Sequence, residues 1–285
     1  MKTPFPYFGS KSLIAPEVWQ RFGDPSYYFE PFAGALGVLL GRPSPGKYEY
    51  VGDTDCLITN FFRAAKYGDC RELSRLADWP TSQLDLEART KWLRTQRPRL
   101  HRLVTDGDPH RHDLECAAWY AWVQSVRISV NGATIVLGQT AGVRRRSGSL
   151  EDYFIALTDR LKRVVIDHGD WTRIANAAGR VSQRADAAIL LDPPYAYGTQ
   201  RQKNLYAEDS ADVSAYVRRW ALARAATHPR LRIALCGFEG EHEMPSTWEE
   251  LPWWSRMGKG RDRIWFSPNC LSVLDRQPTR KGGRP

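Results

Sequence analysis

Several features that mark common protein classes are missing from this chain of 285 residues. Its five cysteines are widely spaced and form no CxxC pair, which argues against a disulfide framework and against a zinc site. The N-terminus lacks the apolar run of a signal peptide, and no stretch approaches the ~18 apolar residues that span a bilayer. The phosphate-loop pattern GxxxxGK(S/T) is also missing, which argues against an NTPase. We therefore expect a cytoplasmic protein with no metal site and no membrane contact.

The chain carries an excess of positive charge. Lysine and arginine number 41 against 32 acidic residues, which gives a net charge of +9 and a pI near 9.4. Arginine dominates, and its planar guanidinium suits phosphate better than an ammonium does. The balance indicates a polyanionic partner such as nucleic acid; the alternative is a merely basic surface. A basic tail at 279–285 would lie near such a partner.

Short apolar runs recur along the chain, and each ends in glycine or an acid, a pattern typical of buried parallel strands. They lie at Tyr27–Glu30, Tyr48–Asp53, Arg163–Asp167, Ala187–Asp192 and Leu231–Gly237. Between them, the spacing of apolar residues predicts helices at 55–67, 150–161 and 209–226. Strands that alternate with helices predict an α/β fold with a mainly parallel sheet, whose ligands bind at the carboxyl ends of the strands.

The stretch 68–148 interrupts this alternation. It is helical and basic at first, then turns loop-like, and it ends in the run Arg144-Arg145-Arg146. We interpret it as an inserted lobe within a domain formed by 1–67 and 149–278. The three arginines are candidates for gripping a phosphate backbone or entering a groove, and a solvated surface loop is the alternative.

The tetrapeptide Asp192-Pro193-Pro194-Tyr195 directly follows the apolar run 187–191. Two prolines end the strand and fix the directions of the Asp192 carboxylate and the Pro193 carbonyl. Two convergent acceptors suit an exocyclic amine, which develops positive charge as it attacks a methyl group. Tyr195 can stack on a flat base. A proline turn after a buried strand is the alternative, and the context of strand then loop favours the catalytic interpretation.

Small and acidic residues near the other strands predict a cofactor site. The segment Glu30-Pro31-Phe32-Ala33-Gly34 follows the first strand, and its glycine would let the backbone approach a ligand. Asp53 ends the second strand, where an acid typically binds ribose hydroxyls. An N-terminal loop offers a ring in Tyr7 and a cation in Lys11 for a carboxylate. An ordinary loop is the alternative there.

A second acid and an aromatic residue follow the third strand, at Asp170 and Trp171. Asp170 could accept a hydrogen bond from an adenine amine of a cofactor while Trp171 flanks the ring. A helix cap beside a core tryptophan explains the pair equally well. Asp55 is likewise explained by a helix cap alone.

Taken in order, these motifs resemble the Dam-type DNA adenine methyltransferases, class D12, in their alpha arrangement. The matching parts are 7–11, 30–34, Asp53, the inserted segment and 192–195, and 263–268 resembles the family's closing strand. Asn131 resembles an asparagine of the family's lobe. The chain departs from the pattern at Leu36, where the family has the second glycine of FxGxG. It departs again at Ser10, where the family has the second glycine of GGK.

The resemblance implies a Rossmann-like methyltransferase fold that uses S-adenosylmethionine and carries a mainly helical target-recognition lobe. The residues that it assigns to the cofactor are Tyr7, Lys11, Glu30, Phe32, Gly34, Asp53 and Asp192, to which the third strand adds Asp170 and Trp171. It assigns the target adenine to 192–195 and contact with double-stranded DNA to the lobe, with Asn131 and Arg144–Arg146 as candidates.

The implied reaction moves a methyl group to N6 of an adenine rotated out of the DNA stack. The polar loop 197–206, after the tetrapeptide, is expected to close over that base. The same chemistry could act on N4 of cytosine or on adenine in RNA. A catalytically idle DNA-binding protein with the same fold is a further alternative.

Overall fold

The structure is a computed structural model that describes residues 1–130, 134–137, 149–195, 213–253 and 261–272, with the side chains of 128–137 left out. The described helices are a 3-10 helix at Lys11–Leu13, α1 (Ala15–Phe22), α2 (Gly37–Leu40), α3 (Cys56–Tyr67), α4 (Cys70–Ala77), α5 (Gln83–Thr105), α6 (Leu114–Val126), α7 (Leu150–Leu161), α8 (Thr172–Val181) and α9 (Val213–Thr227). The described strands are β1 (Tyr27–Glu30), β2 (Tyr48–Asp53), β3 (Arg127–Val130), β4 (Thr134–Leu137), β5 (Val164–His168), β6 (Ala187–Leu191), β7 (Leu231–Phe238), β8 (Glu249–Trp253) and β9 (Asp262–Phe266).

Seven of these strands form one sheet in the order β5-β2-β1-β6-β7-β9-β8. The pairs from β5 to β7 are all parallel, whereas β9 runs antiparallel to β7 and to β8. The remaining two strands, β3 and β4, form a separate antiparallel pair. The predicted α/β fold with a mainly parallel sheet is therefore confirmed, and the five apolar runs correspond to β1, β2, β5, β6 and β7.

Helices cover both faces of the sheet, and the alternation of side chains along β6 separates two buried clusters. Ala188 and Leu190 join a cluster that includes residues of α1 to α7. Ala187, Ile189 and Leu191 join the other cluster, with residues of α8 and α9. All five residues of β6 are buried, which explains why this strand has no polar residue until Asp192.

Helix boundaries follow capping residues in the sequence. The Ser149 side chain accepts from the backbone N–H of Asp152 at the start of α7, and the Asp152 side chain accepts from the backbone of Ser149 in return, forming a capping box. Asp113 caps α6 by accepting from the N–H of Cys116 at 2.8 Å. These local hydrogen bonds satisfy N–H groups that a helix start leaves open.

Between α3 and α7 the chain forms α4, α5, α6 and the β3–β4 pair. Leu86, Leu93 and Leu100, spaced by seven along α5, are buried in the same cluster as β1 and β2. These helices thus pack directly on the part of the protein that carries the sheet. The division of the chain at 68 and 148 stays a prediction.

The order of strands creates a crevice at one edge of the sheet. From β1 the chain continues to β2 and β5 on one side, and it later returns to β6 and continues to β7 on the other side. Connections that leave two neighbouring strands in opposite directions open a cleft at their carboxyl ends. The residues after β1, β2, β5 and β6 converge at this cleft. Within the described residues, no helix has the length and apolar character needed to cross a membrane.

Candidate functional site

A cavity of about 310 Å³ lies at the carboxyl ends of β1, β2, β5 and β6. That volume is at the lower end of the range for small-molecule sites. Its lining includes all nine residues predicted to bind a cofactor, namely Tyr7, Lys11, Glu30, Phe32, Gly34, Asp53, Asp170, Trp171 and Asp192. The fold thus brings together side chains that lie up to 185 positions apart in the sequence, between Tyr7 and Asp192.

The turn after β1 depends on Gly34. Its backbone has φ +47°, a left-handed conformation, and a Cβ at this position would lie 2.9 Å from two ring carbons of Tyr7. Only glycine lets the Tyr7 ring pack directly on this backbone. Gly34 therefore fixes one wall of the cavity.

Leu36 occupies the position of the missing second glycine, and its backbone is left-handed, with φ 56° and ψ 39°. Among the described residues it is the only one other than glycine with positive φ. This conformation costs a leucine roughly 1–2 kcal/mol. Its side chain is fully buried, which contributes roughly 1.5–3 kcal/mol and offsets the strain. The substitution therefore adds strain while the chain keeps the turn that glycine favours.

The N-terminal loop packs closely on the start of α2. A Cβ on Gly37 would lie 2.8 Å from the backbone nitrogen of Ser12 and 3.0 Å from Oγ of Ser10. Ser10 also lines the cavity, and its buried Oγ makes no hydrogen bond within the described residues. A serine is accommodated where the family pattern has glycine, and its hydroxyl adds a polar atom to the cavity.

Asp53 is held by two backbone donors. Its Oδ2 accepts from the N–H of Gly34 at 3.0 Å, and its Oδ1 accepts from the N–H of Asp55 at 2.9 Å. The surrounding protein desolvates the carboxylate and raises its pKa to about 7, although the two hydrogen bonds act in the opposite direction. Asp53 is therefore a rigidly oriented acceptor that is close to half protonated at neutral pH.

Asp55 caps α3 by accepting from the N–H of Leu57 at 2.9 Å. The same carboxylate binds both terminal nitrogens of Arg97, a residue of α5, at 3.1 and 3.0 Å. The sequence predicts the capping role of Asp55, whereas its pairing with Arg97 appears only in the structure. No local pattern pairs these two residues, because they lie 42 positions apart on different helices.

Both interpretations of Asp170 and Trp171 agree with their surroundings. Asp170 accepts from the N–H of Thr172 at 2.9 Å and so supports the start of α8. The Trp171 ring is 8% exposed, which is the core position that the alternative interpretation expects. It also stacks near Phe32, with centroids 6.3 Å apart and planes 23° apart, and both rings line the cavity. A flat apolar wall results on this side.

Lys11 and Asp192, which both line the cavity, form an ion pair. Lys11 Nζ donates to both carboxylate oxygens of Asp192 at 2.6 Å, and to the carbonyl of Gly9 at 2.9 Å. Lys11 is only 4% exposed, whereas the Asp192 side chain is 20% exposed. The Asp192 carboxylate is thus partly open to solvent, while the buried Lys11 ammonium balances its charge.

Aromatic rings surround the same ammonium group. Lys11 Nζ lies 5.2 Å from the ring centroid of Tyr195 and 5.6 Å from that of Trp253. Tyr195 in turn meets Phe238 edge to face, with centroids 4.6 Å apart. Trp253 is 4% exposed and belongs to the larger of the two buried clusters. The antiparallel pairing of β8 with β9 carries Trp253 to the edge where β6 ends, and no motif in the sequence signals this.

Glu30 lies at the end of β1, between the strands that carry Asp53 and Asp192. It is 3% exposed, and its Oε2 accepts from the Tyr28 hydroxyl at 2.9 Å and from the N–H of Leu39 at 3.2 Å. Burial raises the pKa of Glu30 to about 8, so its carboxyl is mostly protonated at neutral pH.

The predicted DNA contacts Asn131, Arg144, Arg145 and Arg146 lie outside the described residues, as does the loop 197–206 that we expect to close over the base. These assignments remain predictions.

No protein-family model matches this sequence, and no curated protein shows significant similarity to it. The family resemblance therefore remains an interpretation of the motifs and of their order.

Proposed function

We propose that the protein is a methyltransferase that moves a methyl group from S-adenosylmethionine to N6 of an adenine in double-stranded DNA. One observation carries the proposal. Asp53 ends one of the two strands that flank β1, the segment 192–195 follows the other, and Asp53, Asp192 and Pro194 line one cavity. A ribose-type acceptor and an amine-type acceptor thus border the same space, as a reaction between a nucleoside cofactor and a planar amine requires.

The strand order also supports a nucleotide-binding class of protein. Without the β3–β4 pair, the sheet strands numbered along the chain lie in the order 3-2-1-4-5-7-6. This is the doubly wound order of nucleotide-binding folds with one additional antiparallel strand between the fifth and the sixth. A likeness of fold indicates a class and leaves the substrate to the site itself.

The residues of the cavity fit S-adenosylmethionine group by group. Lys11 would hold the carboxylate of its amino-acid part by redirecting one of the two N–H donors that it gives to Asp192, since an ammonium has three such donors and all three are engaged here. Asp53 would accept from the ribose hydroxyls, and Phe32 and Trp171 would pack on the adenine. When bound, the cofactor supplies an electrophilic methyl group.

On the acceptor side, Asp192 and the carbonyl of Pro193 would accept from the two hydrogens of an exocyclic amine. Their negative potential stabilises the positive charge that the nitrogen develops. Tyr195 would stack on the base. No base is needed before the attack, because the neutral amine carries its own lone pair; the proton leaves afterwards to Asp192 or to water.

DNA is favoured as the substrate by the net charge of +9 and by the arginine-rich segment between α3 and α7. A base in a duplex must be rotated out to reach such a cavity, which costs a few kcal/mol. Contacts between arginines and phosphates would offset that cost.

The test uses purified protein, methyl-labelled S-adenosylmethionine and mixed-sequence duplex DNA, followed by mass spectrometry of the nucleosides. We expect label in N6-methyladenine, and about 10²–10³-fold less of it with the Asp192→Asn variant. Label in N4-methylcytosine would identify cytosine in DNA as the acceptor. Label found only in RNA supplied in parallel would identify RNA as the substrate. Tight cofactor binding without transfer to any nucleic acid would support the idle DNA-binding alternative. Sequencing of DNA from expressing cells would then give the methylated context.

A further inference from the structure

We propose that Arg97 is a positioning residue for Asp53, which it holds in place through Asp55. The inference rests on the proposed function, because it takes Asp53 as the acceptor for the cofactor ribose. It adds a residue of α5, within the inserted segment, to the machinery of the cofactor site.

The geometry forms a chain of three contacts. Arg97 holds both carboxylate oxygens of Asp55 at 3.1 and 3.0 Å. The backbone N–H of Asp55 donates to Oδ1 of Asp53 at 2.9 Å. Asp55 is 14% exposed and Arg97 36% exposed, so the ion pair is partly shielded from water. Only a planar guanidinium makes two parallel hydrogen bonds of this kind, which fix the orientation of Asp55 as well as its charge.

Charge provides a second and independent connection. The Asp55 carboxylate raises the pKa of Asp53 by repulsion, and Arg97 balances that charge. Loss of the Arg97 cation would leave Asp55 unbalanced and would raise the pKa of Asp53 above its value of about 7. More of Asp53 would then be protonated at neutral pH. A protonated carboxyl is a weaker acceptor for two hydroxyl groups.

Other titratable groups face this pair from the elements packed around it. Tyr120 of α6 is influenced by the charges of both Asp53 and Asp55, and burial raises its pKa far above the normal range. His168 of β5 lies next to the backbone of Asp53, and burial lowers its pKa. Cys56 follows Asp55, and burial raises its pKa to about 11. All three are neutral at pH 7. Arg127 and Arg63 act on Tyr120 and His168, and within the described residues Arg97 is the cation that forms an ion pair with Asp55.

The matched control lies two residues further along α5. Arg99 binds Asp113, which caps α6 in the way that Asp55 caps α3. The Arg99→Gln variant therefore loses a comparable ion pair between an arginine of α5 and a capping aspartate, with no connection to Asp53. Any effect shared by Arg97→Gln and Arg99→Gln reports general loosening of the helices.

The experiment measures two quantities in wild type, Arg97→Gln, Arg97→Lys, Arg99→Gln and the double variant Asp55→Asn/Arg97→Gln. The first is the titration midpoint of the Asp53 carboxyl by ¹³C NMR, assigned by its loss in Asp53→Asn. The second is the affinity for S-adenosylmethionine between pH 5.5 and 9 by calorimetry. Thermal unfolding of each variant checks that it is folded.

We expect Arg97→Gln to raise the Asp53 midpoint by roughly 0.5–1 pH unit, and the pH dependence of cofactor affinity to move with it. Arg97→Lys should keep the midpoint, because it keeps the charge. The double variant should return the midpoint to that of wild type or below it, because no Asp55 carboxylate remains to repel Asp53. Arg99→Gln should change neither quantity.

An Asp53 midpoint in Arg97→Gln that equals that of wild type would overturn the inference. A shifted midpoint in a protein that binds no S-adenosylmethionine at any pH would have a different meaning. The contact chain would stand, while the proposed function would fail and with it the role of Asp53 in binding ribose.

Discussion

Two carboxylates, Asp53 at the end of β2 and Asp192 directly after β6, border the same cavity but are held in different ways. Asp53 accepts from the backbone N–H groups of Gly34 and Asp55. Asp192 is bound by a side-chain ammonium, that of Lys11. Backbone donors belong to the turns themselves and cannot leave without unfolding them, whereas a lysine side chain can change its partner when a ligand arrives.

The difference matches the two tasks that we propose. Binding a ribose needs a fixed acceptor, and the turns after β1 and β2 provide one. Accepting a reactive amine needs a carboxylate whose balancing charge can be shared with a second anion. Because the aromatic rings of Tyr195 and Trp253 also face the Lys11 ammonium, the acceptor side is built from side chains of distant segments.

The largest expected effect concerns Asp192. The Asp192→Asn variant keeps the size of the side chain but leaves the buried Lys11 ammonium without its counter-charge, so thermal unfolding should occur at a lower temperature and rates are compared where the variant is folded. Methyl transfer should fall by about 10²–10³-fold, because the carboxylate charge that stabilises the reacting amine is lost. Initial rates with labelled cofactor measure this. Asp186→Asn is the control, since Asp186 is an exposed acid just before β6. Near-normal methyl transfer by folded Asp192→Asn would contradict the proposed role of Asp192 in binding the acceptor amine.

The next effect concerns the ring of Tyr195. Tyr195→Ala should lower kcat/KM by about 10–100-fold, since stacking on a base contributes roughly 1–3 kcal/mol. Tyr195→Phe should keep most of the activity because it keeps the ring. Cofactor affinity should be unchanged in both variants if the two sides are independent. Calorimetry with the cofactor alone checks that independence, and a loss of cofactor affinity in Tyr195→Ala would contradict it.

A smaller effect is expected on the cofactor side. Gly34→Ala places a Cβ 2.9 Å from the Tyr7 ring and should lower cofactor affinity about tenfold, or ~1.4 kcal/mol. Gly107→Ala is the matched control, because Gly107 also has positive φ but no atom lies within 4 Å of its added Cβ. That control should lose stability without losing affinity. Equal cofactor affinity in Gly34→Ala and wild type would argue against a ligand contact at this turn.

The smallest effect concerns Glu30, which lies between the two carboxylates. Its pKa of about 8 exceeds the usual value of 4.5, so the folded state holds a proton that the unfolded state releases. Stability from this group is therefore lost as pH rises from about 4.5 to about 8. Between pH 7 and 8, wild type should lose about 1 kcal/mol more than Glu30→Gln. Chemical denaturation at several pH values measures the difference, and parallel slopes would contradict the raised pKa.

The sequence predicted the elements that carry the site better than the contacts within it. The runs 27–30 and 48–53 match β1 and β2 residue for residue, and the third run differs from β5 by one position at each end. Those strands are recognisable because buried parallel strands are predominantly apolar and each of these runs ends in glycine or an acid. Leu36 shows that a residue type and a backbone conformation can differ in how well the pattern predicts them. The glycine of the pattern is replaced by leucine, yet the backbone has the left-handed conformation that glycine favours.

What the sequence by itself determined is therefore the position of polar residues at the ends of apolar strands, because that pattern is local and follows from burial. The tertiary structure alone decided which of those residues meet. Lys11 reaches Asp192 across 181 positions, Arg97 reaches Asp55 from another helix, and Trp253 arrives on an antiparallel strand. Such contacts depend on strand order and on helix packing. Strand order and helix packing are set by the whole folded chain, so the spacing of residues within one segment does not predict these contacts.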